Sequence, residues 1–334
     1  AKVKRLFGQR KFFICYFTTF KNHIAILCHK TVKRQVFTWK KGTGRIALSV
    51  LFRKFALTKK YSMAYADYIK QIEIDSLWSG TKHILWTLDR KVNVLSGING
   101  VGKSTILTKI IRSLSQNSAH ASHTPKGIKL TLMPQTADEI RFDVVRSFDR
   151  PLINADVMGK LDLSLATELD WQLFQLQRKY LDYQVNVGNQ MIAALQSGTP
   201  DGAAEAQRYA APKQLFQDLI DRLFAETGKT IVRTENEIRF NQMGEMLLPY
   251  QLSSGEKQML MILLTVLMEN QLPYVLLMDE PEVSLHFEWQ KQLIDLILQL
   301  NPNVQLIITT HSPAVIMNGW MDHVTEVTDI TLPD

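Results

Sequence analysis

Residues 92–105 read VNVLSGINGVGKST, and this stretch decides the fold. Val92–Leu95 predicts a short apolar strand, and Thr105–Leu114 carries apolar residues at helical spacing. Between them, Gly97–Ser104 matches G-x-x-x-x-G-K-[ST] at every fixed position, in the strand–loop–helix context that this motif requires. Such a loop turns backbone N–H groups toward phosphate oxygens at the positive end of a helix. The sequence therefore predicts a phosphate-binding loop.

The residue types of this loop have separate expected roles. Lys103 would reach the β- and γ-phosphates of a nucleotide and take part in catalysis, and the Ser104 hydroxyl would bind Mg²⁺. The other residues expected to bind the nucleotide are Gly97, Asn99, Gly100, Gly102 and Thr105.

A second apolar run ends in two carboxylates. Val275–Met278 is followed directly by Asp279 and Glu280. A buried strand does not accommodate carboxylates within its length, so we expect both at its C-terminal end, where ligands bind in open α/β sheets. Asp279 would hold Mg²⁺ through water, and Glu280 would orient and deprotonate an attacking water molecule.

Strand and helix patterns alternate through most of residues 63–334, which favours a largely parallel sheet with helices on both faces. The further predicted strands are Ile69–Ile74, His83–Leu88, Lys129–Met133, Tyr274–Met278 and Val304–Thr309, with a short hairpin at Thr230–Arg233 and Glu237–Asn241. Helices are predicted at Gly255–Leu267 and Trp289–Leu300. Two more helical runs, 161–197 and 212–227 around a loop at 198–212, indicate a helical hairpin inserted into the α/β core.

The chain of 334 residues changes character near residue 62. Residues 1–62 hold 16 of the 39 Lys and Arg residues and no Asp or Glu, so residues 63–334 have 23 basic and 32 acidic residues, a net charge of −9. We expect four parts: a basic extension at 1–62, two parts of an α/β core at 63–160 and 230–334 that hold the phosphate loop and the Asp279-Glu280 pair respectively, and the helical insert at 161–229.

The basic extension has three alternative interpretations. In the first, residues 1–62 are translated upstream sequence or a disordered segment, and Met63 is the true start. In the second, they form an arm that contacts nucleic acid or an anionic surface. The third is a transit peptide, which the high Lys content disfavours. The composition of the whole chain excludes global disorder, and its two cysteines exclude a disulfide framework, so we expect a cytoplasmic protein. There is no apolar run long enough for a transmembrane helix.

Leu252–Gln258 reads LSSGEKQ and resembles the signature motif of the ABC-type ATPases. Together with the phosphate loop, Asp279-Glu280-Pro281 and His311, it resembles the RecF/SMC/OLD-like branch of that superfamily, which includes ATPases of bacterial defence systems. The resemblance implies an ABC-type P-loop NTPase core with a mixed, largely parallel sheet and an inserted helical subdomain. It also implies ATP and Mg²⁺ as cofactors and a homodimer, or a higher oligomer, that sandwiches two ATP molecules.

The resemblance assigns further site residues. Ser253 and Gly255 would contact the γ-phosphate bound to the other subunit, and His311 would hydrogen-bond the γ-phosphate as a sensor. Gln135, after the Lys129–Met133 strand, is the candidate for the glutamine that contacts Mg²⁺ and the attacking water. His286 departs from the family pattern, because many ABC proteins have Asp there.

Three functions are compatible with these motifs. The first is a switch or sensor that controls a separate effector, in anti-phage defence or DNA metabolism, since the 23 residues after His311 cannot form the nuclease domain of OLD-type proteins. The second is the nucleotide-binding subunit of a transporter. The third is a RecF-like DNA-repair ATPase, with nucleic acid as a partner, although the acidic charge of residues 63–334 disfavours extensive phosphate contact.

Overall fold

A computed structural model describes residues 15–20, 23–30, 33–40, 65–77, 82–117, 127–146 and 167–332. The chain forms two compact units, residues 1–62 and 63–334. In the first unit, β1 (Cys15–Phe20), β2 (His23–Lys30) and β3 (Lys33–Lys40) form an antiparallel sheet. The sequence pattern did not predict these strands. The interpretation of residues 1–62 as translated upstream sequence stays a prediction.

The second unit begins with strands and one helix and continues with the helical insert. Its first elements are β4 (Tyr65–Ala66), β5 (Tyr68–Leu77), β6 (Lys82–Thr87), β7 (Val92–Ser96), α1 (Lys103–Asn117), β8 (Ile128–Met133), β9 (Glu139–Ile140) and β10 (Phe142–Arg146). The insert consists of α2 (Glu168–Gln196) and α3 (Gly202–Leu223), and the small strands β11 (Lys229–Ile231), β12 (Phe240–Gln242) and β13 (Glu245–Leu247) follow. The remaining elements are α4 (Ser254–Met268), β14 (Tyr274–Asp279), α5 (Phe287–Leu300), β15 (Val304–Thr309), α6 (Pro313–Ile316), β16 (Val324–Glu326) and β17 (Thr331–Leu332).

A five-stranded parallel sheet in the order β10-β14-β15-β7-β16 forms the centre of the second unit. In its register Thr309 lies beside Asp279 on one side and beside Leu95 on the other. The C-terminal ends of β7, β14 and β15 are therefore neighbours. Consequently, the loops that leave these strands begin at one edge of the sheet.

Side chains of the central strands alternate between two hydrophobic clusters, as the pleat of a strand requires. Along β14, Tyr274, Leu276 and Met278 belong to the cluster that contains the helical insert, α4 and α5. Val275 and Leu277 belong to the other cluster, which contains α1 and strands β5, β6 and β8. Both faces are buried, which explains why parallel strands of this kind read as continuous apolar runs.

The second face of the parallel sheet differs from the expectation of helices on both faces. It is covered by α1 together with a four-stranded antiparallel sheet in the order β17-β6-β5-β8. Buried Gln305 of β15 ties the two sheets together: its Oε1 accepts from the Ile69 N–H at 2.8 Å, and its Nε2 donates to the Ile69 and Asp89 carbonyls at 2.8 and 2.7 Å. These bonds satisfy polar groups in the interior that would otherwise be costly to bury.

The helical insert is a hairpin, but its loop is shorter than predicted. α2 begins at a capping box in which the Thr167 side chain accepts from the Asp170 N–H, and residues 161–166 of the predicted first helix lie outside the described residues. α3 begins at Gly202, so the predicted loop at 198–212 is wrong beyond residue 201. The stretch Gly202–Ala211 is rich in alanine and favours helix, and Pro212 is buried inside α3. Among the helices described, none is both long and apolar enough to cross a membrane.

Buried polar groups lie near the N-terminal ends of β10 and β14, away from the loops described above. Burial raises the pKa of the Asp143 carboxyl, and the neighbouring Glu269 carboxylate raises it further, while Lys179 of α2 lowers it. Burial likewise raises the pKa of Tyr274, the first residue of β14. The helical insert therefore places the positive charge of Lys179 near the carboxyl groups of Asp143 and Glu269.

Candidate active site

The phosphate loop connects β7 to α1 as the sequence predicts. Gly97, Gly100 and Gly102 have φ values of +148°, +81° and +110°, which side-chain-bearing residues rarely adopt. Asn99 is exposed in the turn, and Thr105 is half-buried in the first turn of α1. The three glycines therefore allow the backbone to curl around a phosphate group at the N-terminus of α1.

Lys103 is buried at the base of this loop, with 4% of its surface exposed. Its Nζ donates to the carbonyls of Gly97 and Ile98 at 2.8 and 3.2 Å, so the loop itself holds the ammonium group. Burial lowers the pKa of Lys103, and the nearby carboxylates of Glu280, Asp279 and Glu282 oppose that shift. A phosphate bound in the loop would bring further negative charge to this cation.

Two oxygen donors at the mouth of the loop fit a magnesium ion. The Ser104 hydroxyl lies 3.0 Å from Asp279 Oδ1, and the same Oδ1 accepts a short hydrogen bond from the Thr309 hydroxyl. Hydroxyl and carboxylate oxygens beside a phosphate site are the ligands that Mg²⁺ prefers. The geometry thus brings together two of the three residues expected to hold the metal.

Glu280 is held in an unusual backbone conformation directly after β14. Its φ is +47°, and its N–H donates to Thr309 O at 3.0 Å, with Thr309 Oγ1 at 3.2 Å. Its Oε1 lies 3.0 Å from His311 Nε2. The structure therefore brings the predicted base and the predicted sensor histidine into direct contact.

The signature motif forms the N-terminus of α4. Ser253 is the N-cap residue: its hydroxyl accepts from the Glu256 N–H at 3.4 Å, and the Glu256 carboxylate accepts from the Ser253 N–H at 2.9 Å. Ser253 and Ser254 are exposed to solvent. Its helix N-terminus is thus presented outward, where it can meet an anion.

Gly255 has an intramolecular reason for lacking a side chain. A Cβ at this position would lie 2.6 Å from the Ser284 carbonyl oxygen, in the loop that follows Glu280. The N-terminus of α4 consequently packs directly against that loop within one chain. The sequence had suggested only a contact between Gly255 and a phosphate of another subunit.

The two charged residues of the signature motif point inward and connect α4 to its surroundings. Glu256 is buried and lies 2.9 Å from Lys229 Nζ, and the Thr227 hydroxyl donates to the same oxygen at 2.9 Å. Lys257 Nζ lies 2.7 Å from Asp170 Oδ1 in the first turn of α2. The signature helix is therefore joined to β11 by one ion pair and to α2 of the helical insert by another.

Gln135 does not lie at this edge of the sheet. It lies in an exposed turn after β8, whose Leu132 pairs with Ile69. Ile69 in turn is bonded to Gln305, near the start of β15, so this end of β8 lies toward the N-terminal ends of the parallel strands. The strand beside Asp279 is β10, which the sequence pattern did not predict. The structure therefore gives no support to Gln135 as a ligand of Mg²⁺.

Sequence reasoning also missed Thr309 and Glu282. Thr309 contacts both Asp279 and Glu280 from the neighbouring strand, and Glu282 accepts hydrogen bonds from residues around His311. A signal was present for Glu282, since it is an acidic residue two positions after Glu280, between Pro281 and Val283. For Thr309, only the pairing of β14 with β15 reveals the contact.

The chain is similar to one family model and to several known proteins. The family described as "AAA domain, putative AbiEii toxin, Type IV TA system" matches residues 163–318. The chain is 25% identical over 296 residues to Septu protein PtuA of Bacillus thuringiensis, covering 74% of this chain and 72% of that protein. It is 26% identical over 239 residues to the peptide transport system ATP-binding protein SapD of Escherichia coli O6:H1, covering 70% of this chain and 59% of SapD.

A solved structure of an SMC head bound to the C-terminal winged-helix domain of ScpA aligns with 75% of this chain and 92% of its own, at 17% identity and a TM-score of 0.46. The family match over residues 163–318, the relatives and the placement of the motifs together support an ABC-like P-loop ATPase of the RecF/SMC/OLD type.

Proposed function

We propose that this protein binds ATP with Mg²⁺, closes with a second copy around the nucleotide, hydrolyses it, and thereby switches a separate effector protein. The observation that supports this most is the convergence of five groups at one edge of the parallel sheet. Lys103, Ser104, Asp279, Glu280 and His311 come from three separate segments, and contacts of about 3 Å join Ser104 to Asp279 and Glu280 to His311. Convergent polar groups of this kind are the mark of a catalytic site.

The proposed hydrolysis uses the chain's own groups in defined roles. Glu280 accepts a proton from the attacking water, whose oxygen bonds to the γ-phosphorus while the bond from phosphorus to the β–γ bridging oxygen breaks, and ADP and phosphate leave. Lys103 and the N–H groups of the loop stabilise the negative charge of the transition state. Mg²⁺ held by Ser104 and Asp279 would neutralise charge on the β- and γ-phosphates. His311, now bonded to Glu280, would donate to the γ-phosphate.

Exposed side chains around the site support closure with a second copy. Ile98 in the phosphate loop is 79% exposed, and Val283 and Phe287 after the catalytic strand are 58% and 51% exposed. The Ser253 end of α4 is also open. Apolar residues beside an open helix N-terminus suit a surface that becomes buried when an anion and a partner arrive.

The relatives favour a defence setting for the proposed switch. The matching family is described by a putative toxin of a type IV toxin–antitoxin system, and one relative is a Septu protein. These likenesses favour a defence role over DNA repair. Purification of the Glu280→Gln variant from the native host, with ATP and Mg²⁺ present, should retain the effector. Recovery of this chain alone, as a closed dimer, would contradict the effector part of the proposal.

The enzymatic part is tested by phosphate release measured over a range of protein concentrations. Glu280→Gln should lower turnover by about 10²–10⁴-fold, because it removes a general base, while nucleotide binding and the ATP-dependent dimer persist. Lys103→Ala should lose nucleotide binding. The matched control is Glu288→Gln, since Glu288 is an exposed carboxylate paired with Lys291 in the first turn of α5. The scheme would be refuted if Glu280→Gln keeps the parental turnover. It would also be refuted if turnover per molecule stays the same when the protein is diluted.

The likeness to SapD favours one second candidate, the ATP-binding subunit of a transporter. The same site and dimer would then act on a membrane permease. Co-purification separates the candidates, because a permease retained by the trapped dimer supports the transporter, and a partner without membrane spans supports the switch.

A further inference from the structure

A buried carboxylate, Glu282, lies between the catalytic loop and the loop that carries His311. It is 7% exposed, and one of its oxygens, Oε1, accepts three hydrogen bonds. The donors are the Thr310 hydroxyl at 2.6 Å, the His311 N–H at 3.0 Å and the Ser312 N–H at 3.3 Å. Burial of a carboxylate is costly, so these donors are what makes its position tenable.

The three donors are consecutive residues, so Glu282 fixes the backbone on both sides of His311. Other bonds also hold this stretch, and the Ser312 N–H donates to the Thr310 hydroxyl oxygen at 3.0 Å as well. The Thr310 N–H bonds to Leu95 O at 3.4 Å, and the Ser312 hydroxyl donates to Gln290 Oε1 at 2.6 Å. Gln290 Nε2 in turn donates to the carbonyl of Glu282 at 3.3 Å. The loop after Glu280 therefore holds the His311 loop both directly and through Gln290.

We propose that Glu282 is a positioning residue that sets the place of the His311 imidazole relative to Glu280 and the γ-phosphate. It acts through the backbone of residues 310–312, without contact with the nucleotide. This inference rests on the proposed ATPase function. It explains why a carboxylate is buried two residues after Glu280, where a smaller apolar residue would pack without the cost of desolvation.

The experiment compares turnover and nucleotide affinity in single and double variants. Glu282→Ala should lower kcat for ATP by about 10–100-fold, because loss of an orienting partner displaces His311, while the KM for ATP and the dissociation constant of a fluorescent ATP analogue change by less than about threefold. Glu282→Gln keeps an accepting oxygen and should lose less activity than Glu282→Ala. Glu288→Gln serves again as the control and should match the parent.

The decisive measurement is the double variant with His311→Ala. If Glu282 acts through His311, Glu282→Ala should add nothing once the imidazole is absent, so the double variant should have the kcat of His311→Ala. The proposal would be overturned if the two substitutions lower kcat independently, so that the fold-losses of the single variants multiply in the double variant. A Glu282→Ala variant with the parental kcat would also overturn it. Should Glu282→Ala fail to fold, Thr310→Val removes the shortest of the three donors and is tested in the same cycle.

The outcomes separate this inference from the function on which it rests. A parent chain without ATP turnover refutes the proposed function. A parent with turnover that depends on Glu280, but not on Glu282, refutes only the positioning role.

Discussion

Substitution of Gly255 by alanine tests whether α4, which begins with the signature motif, packs against the loop after Glu280 within one chain. The new Cβ would lie 2.6 Å from the carbonyl oxygen of Ser284, and contacts under 3.0 Å require movement of one of the groups. The obstructing atom belongs to the backbone, so no side-chain rotation relieves the clash. The start of α4 and the loop after Glu280 must separate by several tenths of an ångström.

The magnitude follows from two opposing terms. Overpacking of this kind costs about 1–3 kcal/mol, and alanine gains at most about 1 kcal/mol over glycine from its helix propensity. We therefore expect Gly255→Ala to lower the free energy of unfolding by about 1–2 kcal/mol. Gly188, inside α2, is the matched control, because a Cβ there meets nothing within 4 Å. Gly188→Ala should raise the free energy of unfolding by about 0.5–1 kcal/mol.

Urea unfolding of both variants, with ATP turnover measured in parallel, provides the assay. Gly255→Ala should be less stable than Gly188→Ala by about 2 kcal/mol and should turn over ATP about 10–100-fold more slowly, since the displaced loop carries the base. A Gly255→Ala variant as stable as Gly188→Ala, yet inactive, would refute the reasoning. In that case the phosphate of another subunit, and not Ser284, would be what demands a glycine.

Three further predictions concern other parts of the molecule. Lys257→Ala removes a cation 2.7 Å from the Asp170 carboxylate, which is 1% exposed, and should lower the free energy of unfolding in urea by about 3 kcal/mol. Asp143→Asn should stabilise the protein at pH 8 by about 1 kcal/mol or more and should have little effect at pH 4. Burial raises the pKa of the Asp143 carboxyl in the folded state, so the folded state of the parent loses stability as the pH rises from the unfolded pKa to the folded pKa. Ser253→Arg should bind ATP without hydrolysing it. An equal mixture of Ser253→Arg and Lys103→Ala should restore at most roughly a quarter of parental turnover, because half of the dimers contain one copy of each variant and each of those dimers has one intact site out of two.

Each of these three has an outcome that contradicts it. A fully stable Lys257→Ala variant would show that the ion pair does not join α2 to α4 in solution. Equal effects of Asp143→Asn on the melting temperature at pH 4 and pH 8 would remove the raised pKa as the cause. A mixture as inactive as its components would contradict a site shared between two subunits.

The core of the site could be predicted because its chemistry is encoded locally. The phosphate loop and the Asp279-Glu280 pair each combine an apolar strand with polar residues at its end, and the observed β7, α1 and β14 agree with the predicted elements. The buried strand Val304–Thr309 was predicted with the same bounds as the structure has. Residue type and order are sufficient where one strand and its following loop carry the function.

The rest depends on contacts between segments distant in sequence. β10 is short and carries Asp143 and Arg146, so only its pairing with β14 reveals it as a strand. Gln305 is a polar residue in a buried strand, and its partners Ile69 and Asp89 are more than 200 positions away. Alanine-rich Gly202–Ala211 lies within the predicted loop, yet it forms the first part of α3, as its helix propensity favours.

The left-handed backbone of Glu280 has a consequence for protein engineering. A conformation of this kind costs roughly 1–3 kcal/mol at a residue with a side chain, and glycine adopts it without that penalty. Libraries screened only for heat resistance or expression will therefore tend to enrich replacements at position 280 that relax the chain and abolish turnover. Thermostable variants of this protein should be selected with that codon held constant.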